Sequence, residues 1–465
     1  MVKKILLFLF LFILSVGLFS QDKMMLTLEQ SVSIALERNP EVRIAEKELD
    51  KAKAGIWEAY AILLPTLDVS ANFSHAWEIQ KTKIPNFMKA MLGDFDSTTI
   101  PGMEGLATSD DYIEISFALE NTFTYGAMLT QPLFLGGAGI AGIQMACAVR
   151  DAAQYDLDSK RQNLIYQTAN AFYGCLLAKE LVEVQGKALG QAEANLDLVL
   201  KKVEVGSASK FDRMRAEVEA ANLKPAAISA RNNYQAALTG LRMVLGLDKE
   251  MWIEVQGALE YIPDDYAGIS LTDLQAQAVK TRPELHALAS QKRMASKGVA
   301  LARSEFLPKL FFSTDYSYLG MRNDYKFTSD DFSKGFTSVL SLQIPLFRGF
   351  RTCKQYQKAR LDYKISLDAE KLTQDGIAAE VEIAYNKFKE SSEKYQAAKE
   401  SISLAEEALR LANLMYEEGA STQLDVMISQ LALTQSRLNY ASALYEYQMA
   451  RYDLRRVTGL LTGVL

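Results

Sequence analysis

The chain has 465 residues, with 51 Lys and Arg against 57 Asp and Glu, for a formal charge of −6 that becomes −8 without Lys3 and Lys4. A mildly acidic chain with no basic tract argues against nucleic acid as a partner. Cys147, Cys175 and Cys353 stand at spacings that suggest neither a disulfide framework nor a metal cluster, and small free thiols packed in helices are expected.

Lys3-Lys4, the apolar run Ile5–Phe19 and small Ser20 have the layout of a signal peptide over residues 1–20. The run is too short to span a bilayer, and no cysteine follows it for a lipid anchor. No later apolar stretch reaches the roughly 18 residues of a membrane helix, which leaves a secreted or periplasmic protein, or a β-barrel.

Residues 21–250 read as a first structural repeat: helix, strand, loop, strand, very long helix, turn, helix. The first helix runs from about Thr27 to Leu64 and is interrupted at Asn39-Pro40, because proline removes a ladder donor. After Pro65 the period changes to two. Leu67, Val69, Ala71 and Phe73 alternate with Thr66, Asp68, Ser70 and Asn72, giving a strand at about 66–78 with one apolar face. The return strand is expected at about 112–133, with Phe123, Tyr125, Ala127 and Leu129 on its apolar face and Ile113, Ile115, Phe117 and Leu119 extending it outwards. A long helix over 138–204 follows, then a helix over 210–245 that should bend or break at Pro225.

Residues 247–270 form a linker, and 271–465 a second repeat with strands at about 310–319 and 336–347, a long helix at 351–418 and a last helix at 422–457. Leu424, Leu431, Leu438, Tyr445 and Tyr452 recur at seven along that last helix, a coiled-coil seam. The repeats align residue by residue. Asn39-Pro40-Glu41 returns as Arg282-Pro283-Glu284 and Leu64-Pro65 as Leu307-Pro308, at an offset of 243. Pro132 then matches Pro345, Gly206 matches Gly419, and Asp212 matches Asp425, at an offset of 213. The thirty-residue difference falls in one place, between Ile79 and Asp111, and a period this long marks a duplicated half-molecule rather than a solenoid.

Two turns share one design. Gly206 and Gly419 can take the left-handed conformation that closes a helix. Ser209 and Thr422 can cap the next helix, with Asp212 and Asp425 three residues later in an acidic capping box. Two readings stay open for these aspartates. They only cap, or they also line an opening at the tip of the rods, where like-charge proximity would raise their pKa values.

Four amphipathic strands cannot close on themselves, and open sheet edges are not tolerated in hydrocarbon, so the strands must join copies from other chains. The duplicated layout, the two helix breaks, the Leu-Pro strand entrances, the exit Gln131-Pro132-Leu133-Phe134-x-Gly136-Gly137 and the turn Tyr416-x-x-Gly419-x-x-Thr422-x-x-Asp425-Val426 together resemble the TolC family of outer-membrane efflux ducts. The resemblance covers essentially the whole mature chain.

Family membership implies an α+β membrane protein. Its trimeric 12-stranded β-barrel, with 4 strands per chain, would be continuous with a long periplasmic α-helical barrel. An equatorial belt would draw on the 247–270 linker and Gly459–Leu465. It implies a homotrimer in outer-membrane lipid, a periplasmic adaptor (membrane fusion) protein and an inner-membrane pump as partners, and no cofactor.

In that family the tip closes through a tyrosine, a basic residue and two aspartates in this turn. Tyr416 and Asp425 match the tyrosine and first aspartate, whereas Ile428 stands at the second aspartate and Ser421 at the basic position. The tip or gate residues implied are therefore Asp425, Tyr416, Ile428 and Asp212, with an apolar ring at Ile428 in place of part of the polar network.

The expected function is a passive exit duct of a tripartite efflux or type I secretion system, for small molecules or proteins. His75 and His286 fit no nucleophile or metal motif, and no phosphate loop is present, so no catalytic or metal site is expected. The alternatives are a periplasmic structural coiled coil or adaptor, which needs no alternating strands, and a diffusion porin, which needs no helices of this length.

Overall fold

The computed structural model of the protein describes residues 23–85, 112–116, 118–263, 266, 268–461. The expected signal peptide, most of the extra segment between Ile79 and Asp111, Phe117, and the last four belt residues lie outside the described residues. In chain order the elements are β1 (Met24–Leu26), α1 (Leu28–Arg38), α2 (Pro40–Ala61), β2 (Thr66–His75), β3 (Thr82–Pro85), β4 (Tyr112–Ile115), β5 (Asn121–Phe134), α3 (Ala138–Glu204) and α4 (Lys210–Val244). They continue with β6 (Ile253–Val255), α5 (Leu271–Thr281), α6 (Pro283–Ser304), β7 (Lys309–Arg322), a short 3-10 turn (Ser329–Asp331), β8 (Phe332–Gln343), α7 (Arg351–Glu417) and α8 (Gln423–Val457). The chain divides into two compact units, one holding residues 55–146 and 295–361 and the other the remainder.

The first unit is built on a four-stranded sheet, ordered β2-β5-β7-β8 and antiparallel throughout. Its register places Leu67, Val69, Ala71 and Phe73 beside Leu129, Ala127, Tyr125 and Phe123 on one face. On the same face, Tyr125 pairs with Tyr318 and Tyr316 with Phe336. Asp68, Met128, Asp315 and Thr337 form one row of the opposite face. The apolar face is bare: Leu67 is 66% exposed, Val69 79%, Phe336 71% and Leu340 64%. Gly126 has no room for a side chain, since a Cβ there would lie 2.7 Å from the Tyr316 carbonyl oxygen.

Two strand expectations are corrected here. Residues 112–133 do not form one strand: β4 leaves the main sheet and pairs with β3, Ile84 opposite Ile113, as a separate two-stranded ribbon. The break falls before Asn121, where the backbone N–H of Ala76 donates to the Glu120 carbonyl (2.7 Å) and the Glu120 N–H donates to Asn323 Oδ1 (3.2 Å). The last strand lies earlier than 336–347, at 332–343. Arg322 grips both oxygens of Asp331 at 3.0 and 2.9 Å, which brings the chain into the sheet four residues sooner. Pro345, lacking an N–H, follows its end.

The second unit is helical. It holds all but the first turns of α3 and α7, helices of 67 residues each that rise 1.5 Å per residue. Among the described residues, no helix is long and apolar enough to cross a membrane. The core gathers Leu26, Val32, Leu164, Phe172, Leu241 and Val255, all buried, and a second cluster holds Leu274, Val381, Leu454 and Val457. Each such side chain removed from water contributes roughly 1.5–3 kcal/mol.

The linker 247–270 holds a strand: β6 pairs in parallel with β1, fully buried Leu26 opposite fully buried Val255. Pro225 does not break its helix, for α4 runs from Lys210 to Val244 with the proline inside. Buried Ala216, Ala220, Ala227 and Ala230 pack closely on either side, and that packing offsets the one lost backbone bond.

Both proline breaks serve as joints. Asn39 accepts the Glu41 N–H on its Oδ1 (2.8 Å) and donates from Nδ2 to the Val244 carbonyl (2.8 Å), at the end of α4. Arg282 donates from its guanidinium to the Val457 carbonyl (3.2 Å), at the end of α8. Buried Arg282 also forms ion pairs with Glu284 and Glu380 at 3.0 Å each. Gly246 (φ +66°) and Gly459 (φ +72°) finish α4 and α8 beside these joints. A Cβ on Gly246 would meet the Arg38 carbonyl oxygen at 2.9 Å, and one on Gly459 would meet Thr281 Oγ1 at 2.7 Å.

Candidate functional site

The turn between α3 and α4 closes at Gly206 (φ 75°), whose left-handed backbone lets Ser207 N donate to the Lys202 carbonyl at 2.7 Å. Ser209 then caps α4 reciprocally: its hydroxyl accepts from the Asp212 N–H (3.1 Å), and its own N–H donates to Asp212 Oδ2 (3.0 Å). The hydroxyl proton also serves Asp212 Oδ2, at 2.6 Å.

The turn between α7 and α8 repeats the design. Gly419 has φ 72°, and Ala420 N donates to the Met415 carbonyl at 2.8 Å. Asp425 Oδ2 accepts from Thr422 N (2.9 Å), Thr422 Oγ1 (2.7 Å) and Ser421 Oγ (3.0 Å). Ser421, at the position where the basic residue was sought, is thus a third donor to Asp425.

Within one chain these bonds favour the ionised form of both carboxylates. The Ser209 hydroxyl and backbone N–H hold Asp212 below the usual carboxylate range. The Thr422 hydroxyl and N–H, then the Ser421 hydroxyl, do the same for Asp425. Within one chain, donors aimed at the ionised form dominate, and no acidic neighbour contributes to either shift.

The structure brings Tyr416 together with a residue the sequence did not single out. Lys202, at the end of α3, donates from Nζ to Tyr416 Oη at 3.2 Å and stands 4.5 Å from the ring centroid. The ammonium therefore engages both the hydroxyl and the π-face. Tyr416 is half-buried and packs against Leu409, Val426 and Leu433, which join α7 to α8. The contact ties the α3 end of the first hairpin to the second hairpin.

Among the described residues, neither aspartate shares a hydrogen bond or ion pair with Tyr416, Lys202 or the other aspartate. Ile428 is 56% exposed. Lys202 left one trace in the sequence: it precedes Val203, the residue that aligns with Tyr416.

A four-stranded amphipathic sheet, paired 67-residue helices and hairpin turns of one design define a class of outer-membrane channel subunit. The chain belongs to the outer membrane efflux protein family, which it matches over residues 31–247 and 274–460. It is 25% identical to the cobalt-zinc-cadmium resistance protein CzcC of Cupriavidus metallidurans, covering 93% of this chain and 90% of that protein. It is 23% identical to the alkaline protease secretion protein AprF of Pseudomonas aeruginosa, over 96% of this chain and 86% of that one.

Among solved structures, the CmeC outer membrane channel of Campylobacter jejuni superposes with a TM-score of 0.74 at 18% identity, covering 93% of this chain and 85% of that one. The open state of the Neisseria gonorrhoeae MtrE channel gives 0.70 at 19%, over 93% and 89%. Members of this family are channels rather than enzymes.

Proposed function

We propose that the chain is the passive outer-membrane exit duct of a tripartite efflux or type I secretion system. Three copies would pool their strands into a twelve-stranded barrel leading to a periplasmic helical tunnel. One observation carries the reading. The sheet exposes much of its apolar face, most of all on the outer strands β2 and β8, and those strands have no further strand partner among the described residues. In lipid those edges would leave backbone donors and acceptors unmet, and lateral joining to other copies removes the problem. Three chains of four strands give twelve, an even count within the range of such barrels.

The internal duplication is supported by the paired joints. Asn39 with Val244 and Arg282 with Val457 repeat one contact at the offsets found in the sequence. The tip gate is supported by the Lys202–Tyr416 clasp, which keeps the second hairpin against the first and would have to part for cargo to leave. The partners in this reading are a periplasmic adaptor, which engages the helical hairpins, and an inner-membrane pump, which supplies the energy.

Heat-modifiable oligomer bands in outer-membrane fractions, together with conductance of the purified protein in planar bilayers, test the reading. A water-soluble protein that never conducts would support the periplasmic coiled-coil alternative instead.

A further inference from the structure

On the apolar face of the sheet two described cations occur, Arg322 and Lys334. Arg322 is fully engaged, donating to Asp324 at 2.7 Å and to Asp331 at 3.0 and 2.9 Å. Lys334 is exposed and forms neither hydrogen bond nor ion pair with any described residue. It lies on β8 directly opposite Tyr318, with Phe332 and Phe336 two residues away on its own strand. Tyr318 stacks on Tyr125 at 5.0 Å, Tyr125 meets Phe332 at 5.3 Å, and the Tyr316 and Tyr318 hydroxyls share a hydrogen bond of 3.0 Å. The register thus sets Lys334 in a row of aromatic residues, directly opposite Tyr318, whose phenol its charge acts on.

A lysine on a lipid-facing strand is tolerated near the interface and costs roughly 2–4 kcal/mol at the bilayer midplane. Lys334 is the third residue of β8, about 7 Å of strand from the loop end of the sheet. These aromatic residues have the composition of an interfacial belt, and Tyr318, bonded through its hydroxyl to Tyr316, stands directly across from Lys334. At that depth the available anion is a lipid phosphate, whose acyl chains would lie along exposed Phe336 and Leu340.

We propose that Lys334, with the Tyr316 and Tyr318 hydroxyls, forms a binding site for the phosphate headgroup of an anionic membrane lipid on the outer wall of the barrel. The inference rests on the barrel reading, because only there does this face meet lipid. The ammonium and the one phenol O–H not spent in the Tyr316–Tyr318 bond donate to phosphate oxygens, and the apolar strand face below takes the chains.

Detergent-purified protein is incubated with phosphatidylglycerol or phosphatidylcholine, and lipid retention is read by native mass spectrometry. Wild type should retain phosphatidylglycerol over phosphatidylcholine. Lys334→Gln should lower phosphatidylglycerol retention about fivefold, the worth of one surface lysine against anionic lipid, while Lys334→Arg keeps it. Millimolar inorganic phosphate should not displace the lipid, and displacement would mark a free-phosphate site and overturn the lipid assignment. Equal retention by wild type and Lys334→Gln, in proteins that form conducting oligomers, overturns the inference alone. A wild-type protein that forms no conducting oligomer sinks the barrel reading and this inference with it.

Discussion

The Lys202–Tyr416 clasp yields a graded prediction, because two substitutions remove different parts of it. Lys202→Met keeps the aliphatic stem and deletes both the donor and the cation. Tyr416→Phe deletes the hydroxyl and leaves the ring under the ammonium. A hydrogen bond from a charged donor is worth about 1.5–3 kcal/mol when well shielded, and a cation–π contact at an exposed site about 0.5–1 kcal/mol.

Both partners are half-buried, so solvent screening reduces the first term to about 0.5–1.5 kcal/mol. Lys202→Met should then favour the open tip by about 1–2 kcal/mol, a five- to thirtyfold gain in the open-to-closed ratio. Tyr416→Phe should produce the smaller effect. Adding Tyr416→Phe to Lys202→Met should change little further, since the two residues share one interaction. Single-channel recordings in planar bilayers read the open fraction directly. Equal conductance in all four proteins, or a larger effect from Tyr416→Phe than from Lys202→Met, would refute a clasp that acts through the ammonium.

At the neighbouring turn, Asp425→Ala should lower local stability by removing its half of the capping box, read as faster amide exchange over residues 419–426. Asp425→Asn keeps an acceptor and should lose less, so any rise in conductance common to both variants reports charge rather than capping. The folded pKa of Asp425 lies below its unfolded value, so its contribution is complete above the unfolded pKa. It is lost as pH falls through the folded one, and exchange at the turn should quicken only in strong acid.

Gly246→Ala and Gly459→Ala should each destabilise by at least about 1–2 kcal/mol, from the left-handed backbone alone, with the clash against Arg38 or Thr281 adding to it. Thermal melts of the two variants should fall together, and a neutral result at either would remove the argument for equivalent joints. Burial pushes the Cys175 thiol up to about 12, so alkylation near neutral pH should reach it only after unfolding.

The features legible in the sequence were those that repeat or that need a special residue. Alternation from Leu67 to Phe73 and the proline breaks at Pro40 and Pro283 carry their structure in the local pattern. The turn glycines and caps are equally local, since Gly206 and Gly419 take positive φ and Ser209 and Thr422 accept from the aspartate N–H groups. The parallel pair of Met24–Leu26 and Ile253–Val255 was not legible, because three residues give no period and their partners are 229 positions apart. Lys202 was hidden for a related reason. Nothing local marks a lysine near a helix end as the partner of a tyrosine 214 residues away. Pro225 does not break α4 because its backbone preference is local whereas the alanine packing that holds the helix together is tertiary.

The native mass of the detergent-purified protein tests the central claim most directly. In the proposed barrel the two outer strands are completed by other copies, so the account predicts three chains per particle, with a β-sheet signal that survives as long as the oligomer does. A stable monomer that keeps its full β-sheet signal would contradict it.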